Sequence, residues 1–413
     1  MPIITPLSRR DALAHLSALF TLPFVEWPSW SLAADPLGGT IAQYQAGRLR
    51  GEYTALDVTT RALDRCRTGG AALHAIDTLS ASAHAEARAS DARLRSKTLR
   101  GPLDGVPLFA KSIYDMESTT TSASSAEWAR LFPQRVSRDA IEVTRLRAAG
   151  AVILGKTAAD DFAYRGNGTS SFTGQVLNPH DRTGLRTPGG SSAGSAVAVA
   201  CGMAFCALGT DDGGSNRIPA QFTGVVGVKP TFGLVPRSGV IPTWPVLDTH
   251  GPLARSVADA ALMLDAIAGH DADDALSLRG TWRRGTLGAL SISTLRGARL
   301  GFVELHAPRA QMTADCLRVL DAALADCTGA GAIVESYAPP VDRVTYREQF
   351  AILRARTRRC CAQRELAGRH GERSSAAISN DRVSIRKTPR NVGSRRIVLS
   401  TMCFPPSGPL WTR

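Results

Sequence analysis

Residues 187–219 read TPGGSSAGSAVAVACGMAFCALGTDDGGSNRIP, two glycine-serine turns bracketing one apolar run. Gly189, Gly190, Ser191 and Ser192 form the first turn, and Gly213, Gly214 and Ser215 form the second. The run between them predicts a helix over 195–201 and then a strand over 203–208. A helix packed on the strand that follows it returns the second turn to the neighbourhood of the first. Glycines beside a serine let backbone N–H groups converge on one point, as stabilising an oxyanion requires. The competing reading is two unrelated glycine turns, since glycine and serine commonly punctuate loops.

A lysine upstream favours the first reading. Residues 101–115 read GPLDGVPLFAKSIYD, with Val106, Leu108 and Ala110 on one face and Pro107 and Phe109 on the other. Apolar residues on both faces predict a strand over 106–111 that is buried on both sides. Such a strand delivers Lys111 into a dry place. Desolvation disfavours an ammonium, so the pKa of Lys111 is expected to fall, and a neutral lysine accepts a proton.

These two stretches together resemble the amidase signature family, serine hydrolases of carboxylic amides. The resemblance runs on through FTGVVGVKPTFGLVPRSGVIP and LDTHGPLARSVADAALMLDAIAG and covers residues 41–337. It implies an α/β fold, a single domain with a mixed sheet flanked by helices, here over 35–350. It also implies a catalytic lysine at Lys111, a serine after a cis peptide bond at Ser191, and the nucleophile at Ser215. Ser191 would relay a proton between Lys111 and Ser215, and an acyl-enzyme on Ser215 would then be hydrolysed by water. The N–H groups of Asp212, Gly213, Gly214 and Ser215 are the expected oxyanion hole. Asp211, Arg217 and Ser192 are the expected supports, with Arg217 paired to Asp211. Gly168, Thr169 and Ser170 are expected to line the acyl pocket. Two residues depart from the family's usual pattern: Asn216 stands in place of isoleucine or valine, and Ser112 in place of the aspartate that commonly follows the lysine.

Charge has to be located before it implies a partner. The net charge is +13, but residues 351–413 hold 14 Lys and Arg against 3 Asp and Glu, which leaves only +2 for the other 350 residues. The basic character therefore belongs to the tail, and no nucleic-acid partner is expected for the enzyme-like body. None of the eight cysteines falls in a C-x-x-C pair, and the eight histidines include no metal-binding helical pair, so neither metal nor cofactor is expected. Cys201 and Cys206 read as buried thiols, and His15, His74, His250 and His270 as incidental. The expected partner is a small-molecule amide, with a homodimer left open.

Along the chain, residues 1–34 carry Arg9-Arg10, an apolar run and SLAAD, which resembles a twin-arginine export signal cleaved after Ala33 or Ala34. That predicts a periplasmic or exported protein; the competing reading is an amphipathic first helix of a cytoplasmic one. The apolar run is too short for a permanent membrane span. Two helical patterns occupy 40–67, the second opened by a capping box of Thr54 and Asp57. A long alanine-rich helix is predicted over 74–98, a helix over 139–149 and a strand over 151–154. Residues 150–157, GAVILGKT, satisfy the phosphate-loop pattern literally. The β-branched run AVIL cannot supply the flexible inward-turned amides that a phosphate needs, so Lys156 reads as structural. A strand over 298–303, a helix over 313–327 and a strand over 332–337 resume the α/β alternation. Residues 351–413, with 13 arginines and one lysine, read as an atypical basic tail, so that the C-terminal portion of the fold is expected to be truncated or replaced. Two alternatives accompany the hydrolase reading: an amidotransferase A subunit that uses glutamine with a tRNA-handling partner, and a truncated, inactive amidase remnant.

Overall fold

A computed structural model describes residues 35–181, 183–279, 295–302 and 309–337. The expected export signal and basic tail lie outside the described residues. Helices α1 (Ile41–Leu49) and α2 (Ala55–Arg65) each start at a reciprocal threonine cap, Thr40 with Gln43 and Thr54 with Asp57. Each cap occupies N–H groups that a helix start otherwise leaves without partners. The single helix predicted over 74–98 divides into strand β1 (Ile76–Leu79) and helix α3 (Ala83–Arg95). Residues 80–82, SAS, make the break, because the Ser80 and Ser82 hydroxyls bond to one another and Ser82 Oγ donates to Glu86. Serine side chains that bond locally compete with helix propagation.

Strand β2 (Pro107–Lys111) is buried at every position, as its two apolar faces predict. Full burial of Leu108 and Phe109 contributes about 1.5–3 kcal/mol for each. Helices α4 (Ala126–Leu131) and α5 (Ile141–Ala148) lead to strand β3 (Val152–Thr157), which is longer than the predicted 151–154. All but the first two residues of the phosphate-loop pattern thus lie within a buried strand. Its second glycine, Gly155, has φ +148°, and an added Cβ would lie 2.0 Å from the Thr78 carbonyl of β1. Close passage of two strands requires glycine there. Lys156 Nζ donates to the Thr120 carbonyl at 2.9 Å and to Thr121 Oγ1 at 3.0 Å, as suits a structural lysine.

The chain continues through a short hairpin of β4 (Thr169–Ser170) and β5 (Gly174–Gln175) to helix α6 (Ala193–Ala200) and strand β6 (Cys206–Thr210). Strand β6 therefore starts three residues later than predicted and ends at Thr210. Helix α7 (Arg217–Thr223), strands β7 (Val226–Gly227) and β8 (His250–Ala254), and helix α8 (Val257–Ile267) follow. The last described elements are β9 (Arg299–Phe302), α9 (Ala314–Gly329) and β10 (Ile333–Ser336), with β9 and β10 paired in parallel.

Six strands form one mixed sheet in the order β1-β3-β2-β6-β8-β7. Strand β2 is parallel to both neighbours, β3 and β6, while β8 is antiparallel to β6. Parallel strands need both faces covered. Helix α6 packs against β2, β3, β6 and β8, and Ala193 through Val199 are all buried. The small side chains of AGSAVAVA allow that close approach, and Gly194 sits against the Ala75 and Ala158 carbonyls. Placing β6 beside β2 brings the two turns of residues 187–219 to the end of the strand that carries Lys111.

Candidate active site

Lys111 is the last residue of β2 and is fully buried. Its Nζ donates to Ser191 Oγ and to Thr210 Oγ1, each at 2.8 Å. Burial pulls its pKa from 10.5 down to about 8, against the opposing pull of Asp212, Asp160, Asp248 and Asp211. About one lysine in ten is then neutral at pH 7. Thr210 had no motif to announce it. Its signal was the strand boundary, since a β6 that ends at 210 rather than 208 lies beside the end of β2.

Ser191 is fully buried, and the Gly190–Ser191 peptide bond is cis. The Ser191 carbonyl accepts from Asp160 N–H at 3.3 Å. Asp160 in turn accepts from the amides of Gly168 at 3.1 Å and Thr169 at 2.9 Å. Burial raises its carboxyl to about 6 despite these bonds. A Cβ at Gly190 would lie 2.1 Å from Asp160 Oδ2 and 2.8 Å from Gly168 N. Gly190→Ala is therefore expected to destabilise the protein by about 1–3 kcal/mol through overpacking. A thermal melt compared with the wild type checks this; an unchanged transition temperature would contradict it.

Ser215 lies at intermediate exposure in the second turn. Its carbonyl accepts from Ser192 N–H at 3.1 Å, and that backbone bond holds the two serine turns together. Among the described residues no hydrogen bond joins the Ser215 and Ser191 hydroxyls. Ser192 joins the turn to β6 and to Asn216: its Oγ donates to Asn216 Oδ1 at 3.0 Å and accepts from Thr210 N–H at 3.2 Å. Asn216, a departure from the usual pattern, is the centre of this brace. Its amide group also donates to the Val228 carbonyl at 3.0 Å and the Gly251 carbonyl at 3.3 Å, tying the turn to β8. The other departure, Ser112, is buried and accepts from Ser124 Oγ at 2.8 Å.

Arg217 pairs with Asp211 through two bonds, Nε to Oδ2 at 2.9 Å and Nη2 to Oδ1 at 3.0 Å. Burial works against the charge of Asp211, but Arg217 and the amides of Gly214 and Asn216 outweigh it and hold the carboxyl below its usual range. One of these bonds amends the expected oxyanion hole. Gly214 N–H donates to Asp211 Oδ1 at 2.7 Å, so it shapes the turn and does not point to an oxyanion. The amides of Asp212, Gly213 and Ser215 make no hydrogen bond among the described residues.

The predicted pocket residues separate. Thr169 lines a cavity of about 320 Å³ together with Phe162, Tyr164, Arg165 and Ser171. Gly168 N–H is committed to Asp160, and Ser170 Oγ donates to the Ser124 carbonyl at 2.8 Å. His250 is not incidental: it is buried on β8, where its Nδ1 hydrogen-bonds Glu142. Cys206 is buried and Cys201 half-buried. Among the described residues no cluster of His, Cys, Asp and Glu is arranged to hold a metal, and no helix is long and apolar enough to cross a membrane.

The A subunit of glutamyl-tRNA(Gln) amidotransferase from Anaeromyxobacter sp. (strain K) is 50% identical over 195 residues, 47% of this chain and 39% of that protein. A solved structure of peptide amidase from Stenotrophomonas maltophilia superposes with a TM-score of 0.66 at 38% identity, covering 72% of this chain and 61% of the other. An amidase family protein from Bacillus anthracis str. Ames gives a TM-score of 0.67 at 31% identity, covering 73% and 60%. The chain thus spans half or less of the length of the curated relatives it matches. The amidase family model matches residues 57–395, reaching beyond residue 350, where the enzyme-like body was expected to end. Fold, turn geometry and this match agree, and the chain belongs to the amidase family.

Proposed function

We propose that this chain hydrolyses the C–N bond of a carboxylic amide through an acyl-enzyme on Ser215. One observation carries the reading: a buried amine, Lys111 Nζ, lies 2.8 Å from Ser191 Oγ in a turn bonded to that of Ser215. In its neutral form Lys111 takes the Ser191 proton, Ser191 takes the Ser215 proton, and Ser215 Oγ attacks the amide carbonyl. The amides of Asp212, Gly213 and Ser215 are the donors available to the oxyanion; each such donor is typically worth about 2.7–4 kcal/mol. Reversal of the relay protonates the leaving amine, and water then releases the acid.

A serine-directed fluorophosphonate tests the reading. Covalent labelling at Ser215, located by peptide mass spectrometry, is the expected result. A folded protein that takes no label favours the inactive remnant instead. Peptide amides lead the substrate panel because a similar structure is that of a peptide amidase. The second reading, an amidotransferase A subunit, is favoured by the 50% identical relative, and glutamine belongs in the same panel. Export through the Arg9-Arg10 segment is proposed with the hydrolase reading and argues against the amidotransferase, and the intact mass of the mature protein would reveal cleavage at Ala33 or Ala34.

The base sets a pH dependence. The amine is protonated below its pKa of about 8 and neutral above it. For an uncharged amide, kcat/KM is expected to rise about tenfold per pH unit below that value and to stop rising once the amine is neutral. A profile already flat from pH 6 would exclude Lys111 as the titrating base.

A further inference from the structure

Strands β6 and β8 keep one antiparallel register from Cys206 opposite Ala254 to Thr210 opposite His250. Asp211 N–H extends it by donating to the Thr249 carbonyl at 2.8 Å. Carried one position further, that register sets Asp212 opposite Asp248, with the two carboxyl groups on one face. Two carboxylates that face each other away from water disfavour a second charge, so one of them keeps a proton.

Surroundings decide which one. Asp248 is buried and is already an acceptor, taking N–H groups from Thr243 at 3.1 Å and Trp244 at 3.1 Å. Asp212 has no such support: its Oδ1 is buried without a hydrogen-bond partner among the described residues. Burial first, then the charge of Asp248, push the Asp212 carboxyl well above its ordinary range. The other ionisable groups around the pair are Lys111 on β2, Asp160 beyond it, and Asp211, which is matched by Arg217. Behind β8, Glu142 is bonded to His250, and Tyr114 lies against the His250 ring.

We infer that Asp212 is a positioning residue that works as a neutral acid: a proton held between Asp212 and Asp248 fixes the turn over 211–215, and its loss at alkaline pH releases that turn. The proton sharing stands on that register and on the burial of Asp248 and of Asp212 Oδ1. That the turn presents a nucleophile rests on the proposed function of Ser215. The device differs from the Lys111–Ser191 contact, since it moves no proton to substrate and acts through the backbone that carries Ser215.

Asp212→Asn is the informative variant, because its amide still donates to Asp248 but does not titrate. In the unfolded chain both aspartates ionise near the usual pKa of about 3.9. The folded pair keeps one proton well above that pH, so wild-type stability falls as pH rises from about 4, until the pair ionises. Melting temperatures of the full chain at pH 4 to 9 should therefore show Asp212→Asn gaining on the wild type with each pH unit. Fluorophosphonate labelling is the second arm. The wild-type rate should fall on the alkaline side, Asp212→Asn should lack that fall, and Asp212→Ala should label at least tenfold more slowly at pH 8.

A melting difference between wild type and Asp212→Asn that stays constant from pH 4 to 8 overturns the shared proton. Equal labelling of Asp212→Ala and wild type overturns the positioning role. Should Asp212→Ala not fold, the alkaline limb of Asp212→Asn decides that role by itself, its persistence counting against it. A pH-dependent melting gap in a wild type that takes no label overturns the hydrolase reading and leaves the proton pair in place.

Discussion

Ser215→Ala is expected to abolish amide turnover while the protein folds and melts as the wild type does. Loss of the nucleophile in a serine hydrolase lowers kcat by about 10⁶, since the remaining site offers only binding and oxyanion donors. The fold should tolerate the change because the bond that ties the two turns together uses the Ser215 carbonyl and Ser192 N–H, not the Ser215 hydroxyl. Arg217 and Asp211 hold the turn from the other side, again without that hydroxyl. Turnover, labelling and a thermal melt on one preparation check the three parts together. Hydrolysis at the native rate by this variant would remove Ser215 from the mechanism.

Lys111→Met should be nearly as damaging to turnover, by about 10²–10⁴, the usual contribution of a positioned base. Its effect on stability has the opposite sign. The folded pKa of about 8 lies below the ordinary 10.5, so the folded protein binds the proton less well than the unfolded chain does. Keeping the buried ammonium at pH 7 therefore costs about 3 kcal/mol, and the cost fades as pH rises from 8 to 10.5. Methionine removes that cost but also removes two hydrogen bonds, to Ser191 and Thr210, worth about 1 kcal/mol each. The expected balance is a variant that melts at or slightly above the wild-type temperature at pH 7 and loses that advantage by pH 10. A variant with native turnover would refute the role of Lys111, whatever its stability.

Much of this site was legible because its chemistry is written in short runs. The alternating apolar faces of VPLFA predict a strand buried on both sides, and such a strand leaves its terminal lysine nowhere wet to go. The paired glycines of 187–219 mark backbone that must turn tightly, and Gly190 turns against the Asp160 carboxylate with no room for a side chain. What escaped the sequence depends on register. Thr210 becomes a partner of Lys111 only because β6 ends at 210, and a two-residue shift of a short apolar strand leaves no trace in hydrophobic pattern. Gly214 counted as an oxyanion donor by its place in the turn, until Asp211 from the preceding strand end claimed its N–H. His250 looked incidental because its partner, Glu142, lies 108 positions away on another element. The break at 80–82 was hidden by the alanine-rich composition around it, where three small residues serve a helix or a turn equally well.

Strand β2 lies between β3 and β6, with neighbours on both edges, and carries Lys111 at its tip. The lysine's two hydroxyl partners are 80 and 99 positions further along the chain. No fragment holding only one side of this seam contains a complete proton path, however well it folds. On the proposed relay, chemical competence would therefore report on assembly of the whole central sheet, and turnover per mole would follow the fraction of molecules in which that middle strand has been threaded home.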